Sequence, residues 1–292
     1  MIEHALSAAR IELELGRYND ALVPLREVER QAAKHSQLWI DASLLRMRLA
    51  LRLNEYDLLW GLDRALGENI AENYEAQFER ELILNTALRD LLIEKEIAHS
   101  VERLAELSSK LSSGGGSSLY RALSRSFAKI GRAEEAVELA MRGLELALTE
   151  QKIRAIGNAH LALGEALRAN ASEASAIEHY AEAIEIGLNI GNRDSELWAR
   201  LGEACAYLQL GDLENASRSS LDAKSLTEDP EFEHPLETAH VGLIQALANI
   251  LSKAPIDLEG VLGPYVGLGI LWPKQFISET LSRGELPRAI PI

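Results

Sequence analysis

The sequence predicts an all-α protein, built as a solenoid of helix-turn-helix units that ends in a capping helix. Three observations lead to this prediction: a helix-favouring composition, a motif that returns about every 40 residues, and amphipathic stripes of helical period on both sides of that motif. The chain has 292 residues, of which 47% are hydrophobic and only 8 are proline. Ala, Leu and Glu dominate, and these residues favour helices. Such a chain can readily bury a core.

The repeated motif is a small residue at a helix end, a short turn, and a second small residue five positions later. The clear copies are Gly16/Ala21, Gly131/Ala136, Ala171/Ala176 and Gly211/Ala216. Two weaker copies, Asn54/Leu59 and Lys95/Ser100, fill the gap between the first two clear ones. The turn positions 16, 54, 95, 131, 171 and 211 therefore predict six units, separated by 38, 41, 36, 40 and 40 residues.

Each unit is predicted to contain two amphipathic helices. In the fourth unit, one face of the first helix carries Tyr120, Leu123, Phe127 and Ile130. After the turn, a second apolar stripe carries Ala136, Val137, Ala140, Leu144 and Leu148. Glycine at the turn supplies the positive φ that ends the first helix. The small residue five positions later lets the two helices approach closely.

The fourth and fifth units resemble tetratricopeptide repeats. The fourth matches that motif at Tyr120, Leu123, Ser124, Phe127, Gly131, Ala136 and Gly143, and the fifth at Leu163, Gly164, Leu167, Ala176, Tyr180 and Ala183. The sixth departs from it, with Glu203 in place of leucine and Ser220 in place of an aromatic residue. The long period is similar to that of the sensor modules of MalT-like regulators. The resemblance covers about residues 1–228 and implies a right-handed superhelix whose first helices line a concave, partner-binding surface.

The stretch "SSGGGSS", residues 112–118, interrupts the helical pattern between the third and fourth units. A phosphate-binding loop would need a lysine after the glycines and a strand before them, and neither is present. The position therefore predicts an extended loop between units. A flexible hinge between two half-solenoids is the alternative, because glycine-rich links bend easily.

Beyond residue 228 the pattern changes, which predicts a second region, 229–292. A capping helix is expected over residues 236–253, because a solenoid end exposes an apolar face that needs a cover. An irregular Gly- and Pro-rich stretch and a short helix near 274–282 follow. We expect this extension to pack on the solenoid. Alternatively, its apolar stretch could dock on a partner or mediate self-association.

The charge and composition exclude several classes of function. A net charge of −15 disfavours nucleic acid and anionic membrane surfaces as partners. The longest apolar stretch, residues 261–272, is too short and too broken to span a bilayer. Cys205, the single cysteine, allows no internal disulfide, and together with the charged N-terminal segment this predicts a cytoplasmic protein.

No residue pattern indicates catalysis. The nucleophile, zinc-protease and dinucleotide motifs are absent from the sequence, so neither an enzyme nor a cofactor is expected. Glu237 and His240, with Glu233 and His234 before them, have a spacing that could hold a metal, but no second ligand motif supports it. Cys205 lies in a stripe of small residues and is predicted to be an unreactive core thiol.

A column of arginines predicts the binding site. Arginine stands six residues before the turn position in each of the first four units, and further polar residues flank this column one helical turn away. Guanidinium groups bind carboxylates through two parallel hydrogen bonds. The predicted partner-binding residues are Arg10, Arg48, Asn85, Arg89, Arg121, Arg125 and Arg168. The alternative is that these arginines pair with neighbouring glutamates and only keep the groove soluble.

The leading functional hypothesis is a non-enzymatic scaffold that holds a protein or an acidic peptide in its concave groove. The second hypothesis is an effector-sensing regulatory domain of a MalT-like signal-transduction ATPase or transcription regulator. The remaining domains of such a regulator would then lie outside this sequence.

Overall fold

The computed structural model describes residues 2–14, 17–67, 69–111, 115–228, 235–287 and 289–292. These residues form fifteen α-helices and no strand, which confirms the predicted all-α solenoid. The helices are α1 (Ile2–Glu14), α2 (Tyr18–Gln31), α3 (Gln37–Arg52), α4 (Tyr56–Gly67), α5 (Tyr74–Asp90), α6 (Glu94–Ser108), α7 (Gly116–Lys129), α8 (Ala133–Glu150), α9 (Ile153–Ala169), α10 (Glu173–Ile190), α11 (Arg193–Gln209), α12 (Leu213–Thr227), α13 (Pro235–Leu251), α14 (Leu258–Gly267) and α15 (Trp272–Arg283). No helix in these ranges has the length and apolar character needed to cross a membrane.

The first twelve helices form six consecutive hairpins, the predicted units. Each first helix, from α1 to α11, contacts the first helix of the next unit or, at the end, the capping helix α13. Within the described residues the second helices contact first helices and, for α12, the capping helix α13, and they do not pack on one another. Elements that lie closer together occupy the smaller radius of a curved stack. The first helices therefore form the inner, concave layer.

The turns inside the units share one residue of positive φ. Asn54, Gly131, Ala171 and Gly211 have φ of 55°, 81°, 53° and 76°, as predicted. The third turn was predicted at Lys95, which is wrong, because the residue of positive φ is Leu92, at 53°. Five positions after Leu92 stands the buried Ile97, so a search for small residues at that position misses this unit. The first turn position, Gly16, lies outside the described residues.

The packing of one tyrosine ring against glycines of two adjacent first helices shows why small residues recur in those helices. Tyr180 of α10 is fully buried and points at both α9 and α11. A methyl group on Gly164 would lie 2.7 Å from its ring, and one on Gly202 would lie 2.5 Å from it. The ring therefore occupies space that exists only because neither first helix carries a side chain there.

The glycine-rich stretch lies at the junction of two units, as predicted: α6 ends at Ser108, α7 begins at Gly116, and the last three residues of the stretch belong to α7. Its residues 112–114 lie outside the described ranges, so the hinge alternative stays a prediction. The amide and hydroxyl of Ser117, at the start of α7, donate hydrogen bonds to the Glu150 carboxylate at 3.0 and 3.2 Å. A carboxylate of the chain itself thus occupies the end of this helix where a phosphate-binding loop would place its anion.

The capping helix and the last short helix are confirmed as α13 and α15. The stretch between them was expected to be irregular, which is wrong for α14. Asp257 caps this helix by accepting a hydrogen bond from the Gly260 amide at 3.0 Å. The sequence pattern missed it because Gly260, Gly263 and Pro264 mask its helical period. Residues of α11, α13, α14 and α15 share one apolar core, so the change of pattern near residue 228 does not separate two cores.

Candidate partner-binding site on the inner face

Three arginines of the predicted column bridge successive first helices. Arg10 lies 3.6 Å from Asp41, and Arg48 lies 3.1 Å from Glu79. Arg125 bonds both carboxylate oxygens of Glu165, at 2.5 and 2.7 Å. In each pair the carboxylate belongs to the next first helix. These three arginines therefore fit the alternative interpretation, in which each arginine pairs with a neighbouring carboxylate. The three ion pairs link consecutive first helices of the inner layer.

Arg89 does not belong to this column. Because the third turn is at Leu92, the position six residues before it is Thr86. Arg89 stands three residues before Leu92, and Arg168 stands three residues before Ala171, so these two arginines are equivalent. Both are buried, at 5% and 4% exposure. Arg89 Nη2 donates to Thr86 Oγ1 at 2.9 Å, and its buried Nε has no hydrogen-bond partner in the described part of the chain.

Asn85 lies in the core and not on the accessible surface, contrary to the prediction. It is fully buried, and its Oδ1 accepts a hydrogen bond from Ser126 of α7 at 2.8 Å. Its Nδ2 donates to Ser100 of α6 at 3.3 Å, and Ser100 donates to Glu81 at 2.8 Å. This network joins α5, α6 and α7. A partner could reach Asn85 only by opening the packed interior.

Arg121 differs from the other cations of the inner layer. No hydrogen bond or ion pair engages its half-buried guanidinium among the residues that the structure describes. Burial, and next the nearby charges of Arg125, Arg52 and Arg48, lower the pKa of Arg121 to about 10. A cation that is disfavoured by neighbouring cations gains free energy when an anion arrives.

Two other basic residues of the inner layer, Arg89 and Lys129, also have lowered pKa values. Burial and the Arg125 charge lower the pKa of Arg89 to about 9. Burial lowers the pKa of Lys129 to about 7, against the attraction of Glu165. Arg121 and Lys129 lie on α7, eight residues and therefore about 12 Å apart along the helix axis. The inner layer thus gathers three basic residues, Arg89, Arg121 and Lys129, whose charges Asp90 and Glu165 partly offset, in a protein whose net charge is −15.

The chain's own last residues occupy the rim of the inner layer beside this group. Lys129 Nζ donates to the Pro291 carbonyl at 2.5 Å. Arg168 Nη1 donates to the Ile290 carbonyl at 2.6 Å, and its Nη2 donates to the Ile292 oxygen at 3.2 Å. Ile290 and Ile292 are buried, at 1% and 7% exposure. Arg168 therefore binds residues 289–292, called the internal segment below. The sequence predicts that the C-terminal extension packs on the solenoid, but not that it contacts Arg168 and Lys129.

The two ends of the solenoid meet at Asp194, the second residue of α11. Arg52, at the end of α3, lies 3.0 Å from its carboxylate, and the Tyr18 hydroxyl donates to it at 2.9 Å. Glu237 of α13 is buried nearby. Burial and the Asp194 charge raise the pKa of Glu237 to about 7. The superhelix is therefore curled tightly enough for its first two units to touch its last.

The candidate metal ligands serve other roles where the structure describes them. His240 shares a hydrogen bond of 2.7 Å with the Tyr265 hydroxyl, and burial lowers the pKa of His240 to about 3. Glu233 and His234 lie outside the described ranges. Within those ranges, no group of three or more His, Cys, Asp or Glu side chains could hold a metal ion. Burial raises the pKa of Cys205 to about 11, which confirms a core thiol.

A pocket of about 620 Å³ adjoins the internal segment at the rim. Arg168 and Gln209 contribute polar groups to its wall, and Leu208, Leu251 and Leu286 contribute apolar surface. Its volume lies within the range that small-molecule sites occupy.

Comparison with known proteins identifies the architecture. No protein-family model and no curated protein sequence matches the chain. Among solved structures, a Rap protein complexed with competence and sporulation factor matches with a TM-score of 0.68 and 10% identity, over 96% of this chain and 79% of that one. The apo form of RapI matches with a TM-score of 0.52 and 12% identity, over 96% and 77%.

A third match is a Signal Transduction ATPase with Numerous Domains from Pyrococcus horikoshii, which carries a tetratricopeptide repeat sensor. Its TM-score is 0.52 at 13% identity, and the match covers 96% of this chain but only 44% of that larger protein. At such low identities the matches report the fold alone. The chain is a tetratricopeptide-repeat-like α-solenoid, similar in architecture to Rap proteins and to part of a signalling ATPase that carries a tetratricopeptide repeat sensor.

Proposed function

We propose that the chain is a non-enzymatic binding module that holds an acidic segment of a peptide or protein on its inner face. The observation that carries the proposal is Arg121, a cation of the inner layer that no carboxylate engages among the described residues. Arg48, Arg52 and Arg125 already have carboxylate partners. Arg121 is therefore the cation of this group whose charge is available to a ligand.

The chemistry of the site favours a carboxylate on an extended partner. A guanidinium fork binds a carboxylate with two parallel hydrogen bonds, and such bonds strengthen in partly buried surroundings. A Rap protein of similar fold was solved in complex with competence and sporulation factor, which supports a regulatory binding role for this architecture. A preformed concave surface lowers the ordering cost of binding.

A display selection of random peptides tests the proposal. We expect wild type to enrich sequences that contain Asp or Glu. The affinity of the enriched peptides should fall at least tenfold in Arg121→Glu and should weaken with salt. The matched control is Arg142→Glu, which makes the same charge change on an exposed position of α8, outside the inner layer. Equal enrichment by all three proteins, each with unchanged helicity, would refute binding at Arg121.

A second candidate function is the sensing of a small effector. The pocket at the rim favours it, because Arg168 and Gln209 offer polar groups beside apolar walls. The match to part of a larger signalling ATPase supports the same reading. Thermal-shift screening of a metabolite library against wild type and Gln209→Leu would test it. A ligand that stabilises wild type and not the variant would favour the sensor.

A further inference from the structure

We infer that the rim of the inner layer is a second peptide site, specific for segments with two aliphatic residues two positions apart, and that residues 289–292 occupy it as a built-in competitor. The inference rests on the proposed function, since it names a further part of the partner that the inner face would bind. The site consists of Lys129, Arg168 and the apolar wall that receives Ile290 and Ile292.

The contacts of the internal segment are those of a bound peptide. Its carbonyl oxygens receive the hydrogen bonds from Lys129 and Arg168, so recognition runs through the main chain. Its two isoleucines, two positions apart, insert into one apolar core cluster with side chains of α11 and α13. The Ile292 amide donates to the Ile290 carbonyl at 2.9 Å, which closes a γ-turn at Pro291, and both side chains lie in that cluster.

The segment has few bonds that would fix it as part of the fold. No helix or strand includes the described residues after α15, which ends before Gly284. The only hydrogen bond between described backbone groups of residues 285–292 is that from the Ile292 amide to the Ile290 carbonyl, at 2.9 Å. Two side chains and apolar contact hold it in place. A competing peptide could satisfy each of these contacts equally well.

Arg168 explains why the site needs an occupant. Its guanidinium is buried, and its acceptors are the Ile290 carbonyl, the Ile292 main-chain oxygen, the Tyr180 hydroxyl and the Gln209 side-chain oxygen. When the segment leaves, a buried cation loses its two main-chain acceptors. An incoming peptide restores them, so exchange costs less than simple release.

The two sites lie close enough for one ligand. Arg121 and Lys129 are about 12 Å apart along α7, and an extended peptide advances about 3.3 Å per residue. A partner that binds both sites therefore carries an acidic residue three or four positions from an aliphatic pair. The internal segment holds only the aliphatic part of this pattern against the rim, which makes it a weaker occupant than the full ligand.

A direct binding measurement tests the inference. The probe is a fluorescent nonapeptide of the chain's own sequence, GELPRAIPI, residues 284–292. An intramolecular ligand acts at a millimolar effective concentration, so wild type should bind the probe weakly. The full-length variant Ile290→Asp/Ile292→Asp, whose segment is released, should bind it at least tenfold tighter. The matched control is Val266→Asp/Leu271→Asp, which adds the same charge at exposed apolar residues of the same region.

Further variants locate the site and guard against misfolding. When Lys129→Met is added to the double aspartate variant, the affinity for the probe should fall at least tenfold. If the double aspartate variant loses helicity, Ile290→Ala/Ile292→Ala replaces it as the milder release. Equal probe affinity for wild type and a folded released variant would overturn the inference, as would binding that ignores Lys129→Met. The display selection tests binding of acidic residues at Arg121, and the probe tests binding at the rim. A negative result in one experiment therefore leaves the other proposal unaffected.

Discussion

Arg89 and Arg168 occupy equivalent positions, each three residues before a turn residue of positive φ, but their surroundings differ. Arg168 donates to two main-chain carbonyls of the internal segment, whereas Arg89 Nε is buried with no hydrogen-bond partner in the described residues. The repeat thus places the same side chain at the same depth twice, but main-chain acceptors meet it at Arg168, whereas Arg89 has only the Thr86 hydroxyl among the described residues.

This difference predicts opposite effects of the same substitution. Arg168→Met should lower the free energy of unfolding by about 1–3 kcal/mol, because two carbonyls lose their donor. Arg89→Met should leave it unchanged or raise it, because a buried cation with a lowered pKa is removed. Urea unfolding followed by circular dichroism measures both. A larger loss in Arg89→Met than in Arg168→Met would contradict the assigned roles.

The packing of Tyr180 gives a prediction about the glycines. Gly164→Ala and Gly202→Ala should each destabilise the protein by about 1–3 kcal/mol, because a methyl group would collide with the tyrosine ring. Gly242→Ala in α13 is the matched control, since no atom lies within 4 Å of its added methyl group. Gly242→Ala should raise the free energy of unfolding by about 0.5–1 kcal/mol, because alanine favours a helix more than glycine does. Thermal unfolding of the three variants decides the matter.

Glu237 predicts a pH dependence of stability. Its pKa in the folded protein is about 7, above its ordinary value of 4.5. The folded state therefore favours the protonated form, and this contribution is complete below about pH 4.5 and disappears as the pH rises through 7. Glu237→Gln should match wild type near pH 4 and exceed it near pH 8, by up to about 3 kcal/mol. A constant difference between the two proteins across this range would count against the raised pKa.

The contact at Asp194 predicts coupling between the two ends of the chain. Asp194→Asn weakens the ion pair with Arg52, and Arg52→Met removes its other half. The double-mutant cycle should give an interaction energy of about 0.5–1 kcal/mol, because solvent screens an ion pair whose arginine is partly exposed. Additive effects within about 0.5 kcal/mol would mean that the contact contributes nothing to stability.

The sequence contained most of the fold because its signals are local. A residue of positive φ ends a helix wherever it stands, so Asn54, Gly131, Ala171 and Gly211 marked their turns correctly. Leu92 escaped because leucine rarely adopts positive φ and no small residue follows it at the fifth position. The error at this turn also moved Arg89 into a column to which it does not belong.

The site was less accessible to sequence reasoning, because its contacts join distant segments. Lys129 and Pro291 are 162 residues apart, and Arg168 and Ile290 are 122 apart. No local pattern reports such a pairing. The burial of Asn85 also depends on three helices together, and a column of polar residues cannot distinguish a core network from an accessible groove.

The contact of Arg52 and Tyr18 with Asp194 changes how the array as a whole should behave. Open repeat arrays fray from their ends, because each unit touches only its neighbours. Here the first two units are tied to the sixth, so neither end can melt alone without breaking a contact that spans 176 residues. Folding must bring these distant residues together, which slows it relative to an open array. A ligand that widens the curl would loosen both termini at once.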